Sequence, residues 1–160
     1  MKLASGIAPV TDFLAAGITV GLGTDGCASN NDLDLLHEMD TAAKLHKVRS
    51  GDPTACPART VVEMATIRGA QAIGLGAVTG SLEIGKAADI TVLTADAPHL
   101  VPIYHPASHV VYAARGDDVR EVLVAGRRLV AEGRLQSLDA DEIRRQVTAI
   151  AREIRSCSGN

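Results

Sequence analysis

Apolar positions along the chain follow two rhythms, a helical one in the first half and a mostly strand-like one in the second. Residues 7–16 predict a short helix: Pro9 lies near its start, Val10, Phe13 and Leu14 share a face, and Gly17 is placed to stop it. Ile18-Thr19-Val20-Gly21-Leu22 follows, short, apolar and rich in β-branched residues, which is the pattern of a strand buried on both faces. It ends abruptly in Gly23-Thr24-Asp25-Gly26. From Asp32 to about Val48, the spacing of Leu33, Leu36, Met39 and Ala43 predicts a longer helix. Gly51, Pro53 and Pro57 punctuate a loop. Residues 58–73 predict another helix, burying Val62, Ala65, Ile67 and Ala72 and stopped by Gly74 and Gly76.

The rhythm then shortens. Residues 88–93 and 110–114 predict strands, separated by a loop that carries Pro98, Pro102 and Pro106. Residues 119–124 and 127–131 flank Ala125-Gly126, a two-residue connection suited to a tight hairpin. Asp139 can cap a last helix over 140–154, where Ile143, Val147, Ile150 and Ile154 repeat at four, three and four residues. One consequence stands out. The first half holds a single buried-type strand, whose N–H and C=O groups need neighbours that this half does not supply.

Composition adds exclusions. At 160 residues the chain fits one domain or parts of two, and 46% hydrophobic with 22% charged residues is ordinary for a soluble globular protein. A net charge of −3, with aromatics at 2% and no Trp, argues against nucleic acid and against an acidic membrane surface. No apolar run approaches the roughly 20 residues of a membrane span, and the first residues lack the apolar region of a signal peptide. Cys27, Cys56 and Cys157 are odd in number and widely spaced, which predicts reduced thiols in a cytoplasmic setting.

Candidate chemistry centres on Asp25. It sits at the carboxyl end of the first strand-like segment, where ligands, metals and catalytic side chains gather in α/β folds. The same carboxylate suits a turn cap, because Asp and Asn bond their own backbone there. Spacing alone leaves both readings open. Ser29 and Asn30 suit turn and capping roles first, and shaping of a pocket second. His37 and Glu38 do not open a zinc-type His-Glu-x-x-His motif, because the next His, His46, is nine residues on. Both histidines read as surface or satisfied polar groups. Cys27, with no Cys or His close in sequence, reads as a small buried thiol.

Four stretches together carry a family resemblance. They are Lys2-Leu3-Ala4-Ser5-Gly6; Gly23-Thr24-Asp25-Gly26 through Asn30-Asn31; Gly80-Ser81-Leu82-Glu83-Ile84-Gly85-Lys86 through Asp89-Ile90; and Ser108-His109-Val110-Val111-Tyr112-Ala113-Ala114 with Val122-Leu123-Val124-Ala125-Gly126-Arg127. In this order they resemble the C-terminal portion of a metal-dependent amidohydrolase, in the branch that deaminates 5′-methylthioadenosine or S-adenosylhomocysteine. The resemblance implies an α/β fold. Residues 1–76 are expected to form the last part of a (β/α)8 TIM-type barrel, 77–138 part of a β-sandwich, and 139–160 a C-terminal helix and tail.

The resemblance also implies zinc, or another divalent metal, and hydrolytic deamination of an adenosine-type nucleoside. It makes Asp25 a metal ligand and proton acceptor, with Gly23 and Gly26 allowing the tight turn beside it. The family's His-x-His pair, middle-strand His and catalytic Glu have no counterparts, and His37, His46, His99, His105 and His109 do not give the spacing. The expected consequences are a chain inactive alone, weak metal binding, a small nucleoside substrate in the intact enzyme, and self-association through unpaired strand edges. The competing expectation is a non-catalytic assembly module, or a subunit completed by strands from another chain.

Overall fold

A computed structural model describes residues 2–157. Four short helices and one long one build its first two-thirds. α1 (Val10–Ala15) starts as Phe13 donates to the Pro9 carbonyl at 3.0 Å. α2 (Leu35–Ser50) is capped by Asp34, whose Oδ1 accepts from the Leu36 N–H at 2.8 Å, and it closes on Gly51 in the left-handed region. The other carboxylate oxygen, Asp34 Oδ2, accepts from the Gly116 N–H at 3.0 Å, tying this helix start to a segment 82 residues away.

The continuous helix expected over 58–73 is two helices, α3 (Ala58–Ala65) and α4 (Ile67–Ala72). The break is Thr66, at φ −128° and ψ −103°, with its hydroxyl turned back onto the Val62 carbonyl at 2.7 Å. Gly69 makes the sharp corner possible, since a Cβ there would stand 2.9 Å from the Met64 carbonyl oxygen.

A second expectation is overturned at residues 110–114, which form no strand. α5 (Pro106–Tyr112) is a helix there, opened by Pro106 in its first turn after an extended His105. The β-branched pair Val110-Val111 finds its burial in packing against α2 and α3, and Val111 is 1% exposed. Tertiary contact overrides a local strand preference that was mainly a preference for half-buried surroundings. Val10, Met39, Ala43, Cys56, Val61, Met64 and Val111 make the core, with Leu14, Val20, Leu22 and Leu36 partly buried against it.

The second part is a small antiparallel sheet in the order β1 (Ile90–Leu93), β2 (Val119–Val124), β3 (Arg127–Ala131), β4 (Arg134–Leu135). A short 3₁₀ turn, Gly116–Asp118, leads into β2. The hairpin falls where the sequence places it. Ala125 and Gly126 both take positive φ, +48° and +75°, the combination that a two-residue turn matched to strand twist requires. Asp89 fixes the sheet to the loop before it: Oδ1 accepts from the Ala125 N–H at 2.7 Å and Oδ2 from the Thr79 hydroxyl at 2.6 Å. α6 (Ala140–Cys157) follows, with Asp139 Oδ1 accepting from the N–H groups of Asp141 and Glu142. None of the residues of α6 is buried. No helix among the described residues is long and apolar enough to cross a membrane.

Residues 18–23 are not a laddered strand, and they are not buried on both faces. Ile18 is 51% exposed and Val20 and Leu22 are half-buried. The physical reason is the one the sequence raised: the segment meets no neighbouring strand among the described residues. The same shortfall shows in the whole surface. The chain exposes 10983 Å², whereas a compact monomer of its mass is expected to expose roughly 7,600 Å². Leu3, Ile18, Leu33, Val78, Leu82 and Ile84 are among the large apolar residues left in solvent.

His46 departs from expectation in the other direction. It is 5% exposed, and its Nδ1 has no hydrogen-bond partner, so it is neither a surface nor a satisfied group. Burial, helped by the charge of Arg49, pushes its pKa below the ordinary histidine value. With the folded value below the unfolded value of about 6.5, the neutral ring favours folding above that pH. That contribution is lost as pH falls through the depressed folded value. The unfolding free energy of the chain, measured by urea titration, should therefore drop between pH 7.5 and 5.5, by at most about 1.4 kcal/mol per pH unit from this one proton. In His46→Leu this component disappears. His37, raised by its hydrogen bond to Asp32 but exposed, acts weakly in the opposite sense and is common to both proteins. Equal pH slopes for the two proteins would contradict the assignment.

Candidate active site

The turn that carries Asp25 is seated from below by close backbone contact. A Cβ on Gly21 would stand 2.9 Å from the Gly69 Cα, and the Leu22 N–H donates to the Met64 carbonyl at 3.0 Å. Two glycines and one hydrogen bond thus set residues 20–23 on the corner between α3 and α4. The chain then leaves the core, and Asp25 takes φ +61°, a left-handed conformation that Asp and Asn tolerate better than most residues. Its side chain is exposed, and Oδ1 accepts from the Gly26 N–H at 2.7 Å. The capping interaction that the sequence allowed is therefore present.

Asn30 closes the turn from the other side. Its side-chain amide donates to the Thr24 carbonyl at 3.0 Å and to Glu38 Oε1 at 2.6 Å, while its N–H reaches the Gly26 carbonyl at 2.9 Å. Asn30 Oδ1 accepts from the Asp32 N–H at 3.2 Å. Asn30 thus fulfils the turn role expected of it and also joins the Asp25 turn to α2. Ser29 contributes its N–H to the Gly26 carbonyl at 3.0 Å.

Further along, His37 Nδ1 lies 2.9 Å from Asp32 Oδ2, and this hydrogen bond holds the Asp32 carboxyl below its usual range and raises His37. His37 is on the surface, as the sequence suggested. Cys27 is also exposed, which corrects the expectation of a buried thiol. The turn that carries it projects from the core, so no apolar surface closes over it.

Two participants were not visible in the sequence. Lys2 Nζ donates to Asn31 Oδ1 and to the Ala28 carbonyl, which brings the first stretch of the family resemblance against the second. Glu38 accepts from Asn30 eight residues away, a separation that matches no local turn or helix rule. A cavity of about 610 Å³ lies elsewhere, lined by Asp34, His37, Asp40, Lys44, His99 and Arg115 among others, and Asp25 is not part of its wall.

Zinc chemistry needs three protein ligands around an open position. Among the described residues no three His, Cys, Asp or Glu side chains come together in that way. The donor set on this chain does not by itself fit the metal.

A model of the amidohydrolase family matches residues 1–129. The chain belongs to the amidohydrolase family. It is 55% identical over 97% of its length to a 5-methylthioadenosine/S-adenosylhomocysteine deaminase of Syntrophobacter fumaroxidans. It is 51% identical over 96% of its length to a 5′-deoxyadenosine deaminase of Methanosarcina acetivorans. The crystal structure of an adenosine deaminase from Xanthomonas campestris with bound zinc superimposes on 97% of the chain at a TM-score of 0.94, with 38% identity. In each case the chain spans about 35% of the other protein's length, corresponding to the C-terminal part. The α/β architecture is thus that of the last part of a TIM-type barrel with part of its accompanying sandwich. A divalent metal belongs to the family.

Proposed function

We propose that this amidohydrolase chain supplies the Asp25 corner of a deaminase acting on adenosine-type nucleosides such as 5′-methylthioadenosine or S-adenosylhomocysteine. In this reading Asp25 is a ligand to zinc or another divalent metal and a proton acceptor, and the remaining ligands lie on barrel strands outside these 160 residues. Residues 1–76 act as the end of the barrel, 77–138 as part of the sandwich, and 139–160 as a terminal helix and tail. The observation that carries the proposal is the fixed turn: Asn30, Glu38 and the Gly21–Gly69 contact hold Asp25 in place although its side chain meets solvent. The free thiols of Cys27, Cys56 and Cys157 suit a reducing cytoplasm.

What this chain contributes is a positioned carboxylate. An exposed carboxylate on a braced backbone can receive a proton from an attacking water without rearranging its surroundings. Alone, it can neither fix a metal's geometry nor enclose a nucleoside, so the chain by itself is expected to be inactive. The test is ammonia release from 5′-methylthioadenosine with zinc present. The purified chain should give no turnover. Co-expression with a polypeptide matching the other two-thirds of the Syntrophobacter fumaroxidans relative should restore deamination. Appreciable turnover by the chain alone, or a stable but inactive complex, would refute the proposal.

A second reading has its own support in the exposed surface and the unladdered segment 18–23: copies of the chain associate through free strand edges. Sedimentation as a monomer at micromolar concentration would remove it.

A further inference from the structure

Glu38 lies in the first turn of α2, where a carboxylate favours the helix dipole without needing a partner. The helix start is already capped by Asp34. Glu38 nevertheless turns its Oε1 onto the Asn30 amide at 2.6 Å. Its neighbour Met39 is 5% exposed in the core, so this oxygen is held from a rooted stretch of helix.

The Asn30 amide can satisfy these partners in one orientation only. Nδ2 donates to two oxygens, Glu38 Oε1 and the Thr24 carbonyl at 3.0 Å, while Oδ1 accepts from the Asp32 N–H at 3.2 Å. Turned over, the amide would set its oxygen against two acceptors. An ionised carboxylate accepts and cannot donate, so Glu38 selects the observed orientation. A bond to an ionised acceptor is also roughly twice as strong as one between neutral groups.

What this fixes is the peptide plane that enters Asp25. The Thr24 carbonyl belongs to that plane, and the plane's orientation sets the Asp25 φ. That φ is +61°, a region a non-glycine residue keeps only where its surroundings hold it. The Leu22 bond to the Met64 carbonyl anchors the chain before Asp25, and the Glu38–Asn30 pair anchors it after. Lys2 adds its contacts further round the turn, at the Ala28 carbonyl and Asn31.

We propose that Glu38 is a positioning residue of the deaminase site. Its action runs through Asn30, which keeps the Thr24–Asp25 peptide in the one plane that aims the Asp25 carboxylate. Misplacing a reacting group by about 1 Å costs on the order of 10²-fold in rate. The inference rests on the Asp25 reading above and adds to it the residue that keeps Asp25 aligned.

Two measurements test it: hydrogen–deuterium exchange on the chain alone, and kinetics on the complex co-expressed with the remaining two-thirds of the Syntrophobacter fumaroxidans relative. Glu38→Ala should speed amide exchange at Gly26, Ser29 and Asn30 at least about 5-fold, with the β2–β3 hairpin amides unchanged. In the complex it should lower kcat for deamination by about 10–100-fold and leave KM within about 2-fold. Glu38→Gln keeps an acceptor oxygen for Asn30 and should bring both readouts to within about 3-fold of wild type. Lys44→Ala breaks the pair with Asp40 on the same helix and should stay within about 2-fold throughout.

Glu38→Ala with wild-type exchange in the turn overturns the inference. So does Glu38→Ala with wild-type kcat beside an inactive Asp25→Asn complex, a result that leaves the Asp25 reading standing. A loss of kcat that Glu38→Gln does not recover assigns the effect to charge and overturns it as well. Deamination by the Asp25→Asn complex, or no active complex at all, overturns both.

Discussion

Asp25→Asn in the completed enzyme should lower kcat/KM for nucleoside deamination by about 10²–10⁴-fold, the range for losing a positioned acid–base group. The same change should leave stability within about 0.5 kcal/mol. Asparagine is chosen for a physical reason. It keeps the shape, tolerates φ +61° as aspartate does, and keeps an oxygen for the Gly26 N–H. Only the charge and its proton affinity are removed. The Asn30–Thr24 and Asn30–Glu38 bonds do not involve the Asp25 side chain, so the turn should hold. Ammonia release and a thermal melt on the same preparation check both halves. An active Asp25→Asn enzyme would reduce the carboxylate to a turn cap.

Met64→Ala should destabilise the chain by about 2–5 kcal/mol, a large share of the 5–15 kcal/mol typical of a whole domain. Met64 is fully buried at the junction of α3 with Val61 and Val111, in a core that contains few other fully buried side chains. A cavity there cannot be filled by rearranging a large interior, because there is none. The loss should also reach the site, since residues 20–23 rest on this corner through the Leu22 bond to the Met64 carbonyl. Met64→Leu, similar in volume, should cost less than about 1.5 kcal/mol. Urea unfolding of the three proteins decides it, and equal midpoints for wild type and Met64→Ala would show that the core is not where the stability lies.

Much of this architecture was legible locally. The helix over 35–50, the Ala125-Gly126 hairpin and the terminal helix each depend on caps, turn residues and periodicity within about a dozen residues, and each lies near where the pattern put it. The family was legible too, because its motifs are short, ordered and spread over the chain. The misses share a different cause. Val110-Val111 reads equally well as strand or helix, and the choice was made by the surfaces of α2 and α3. The helix break at Thr66 depends on Gly69 approaching Met64, and His46 is buried on α2, a helix that packs against α3 and α5. Cys27 stays in solvent because nothing folds over its turn.

The site divides in the same way. The sequence determined that an aspartate ends the first apolar segment, that glycines surround it, and that the chain is an amidohydrolase part. The tertiary structure decided how that aspartate is held, through Glu38 reaching Asn30 and Gly21 meeting Gly69. It also decided that residues 18–23 stay unladdered. Local sequence fixes periods and turns, because those depend on neighbours in the chain. A ladder hydrogen bond or a buried face depends on which surfaces meet, and among the described residues no strand pairs with this segment.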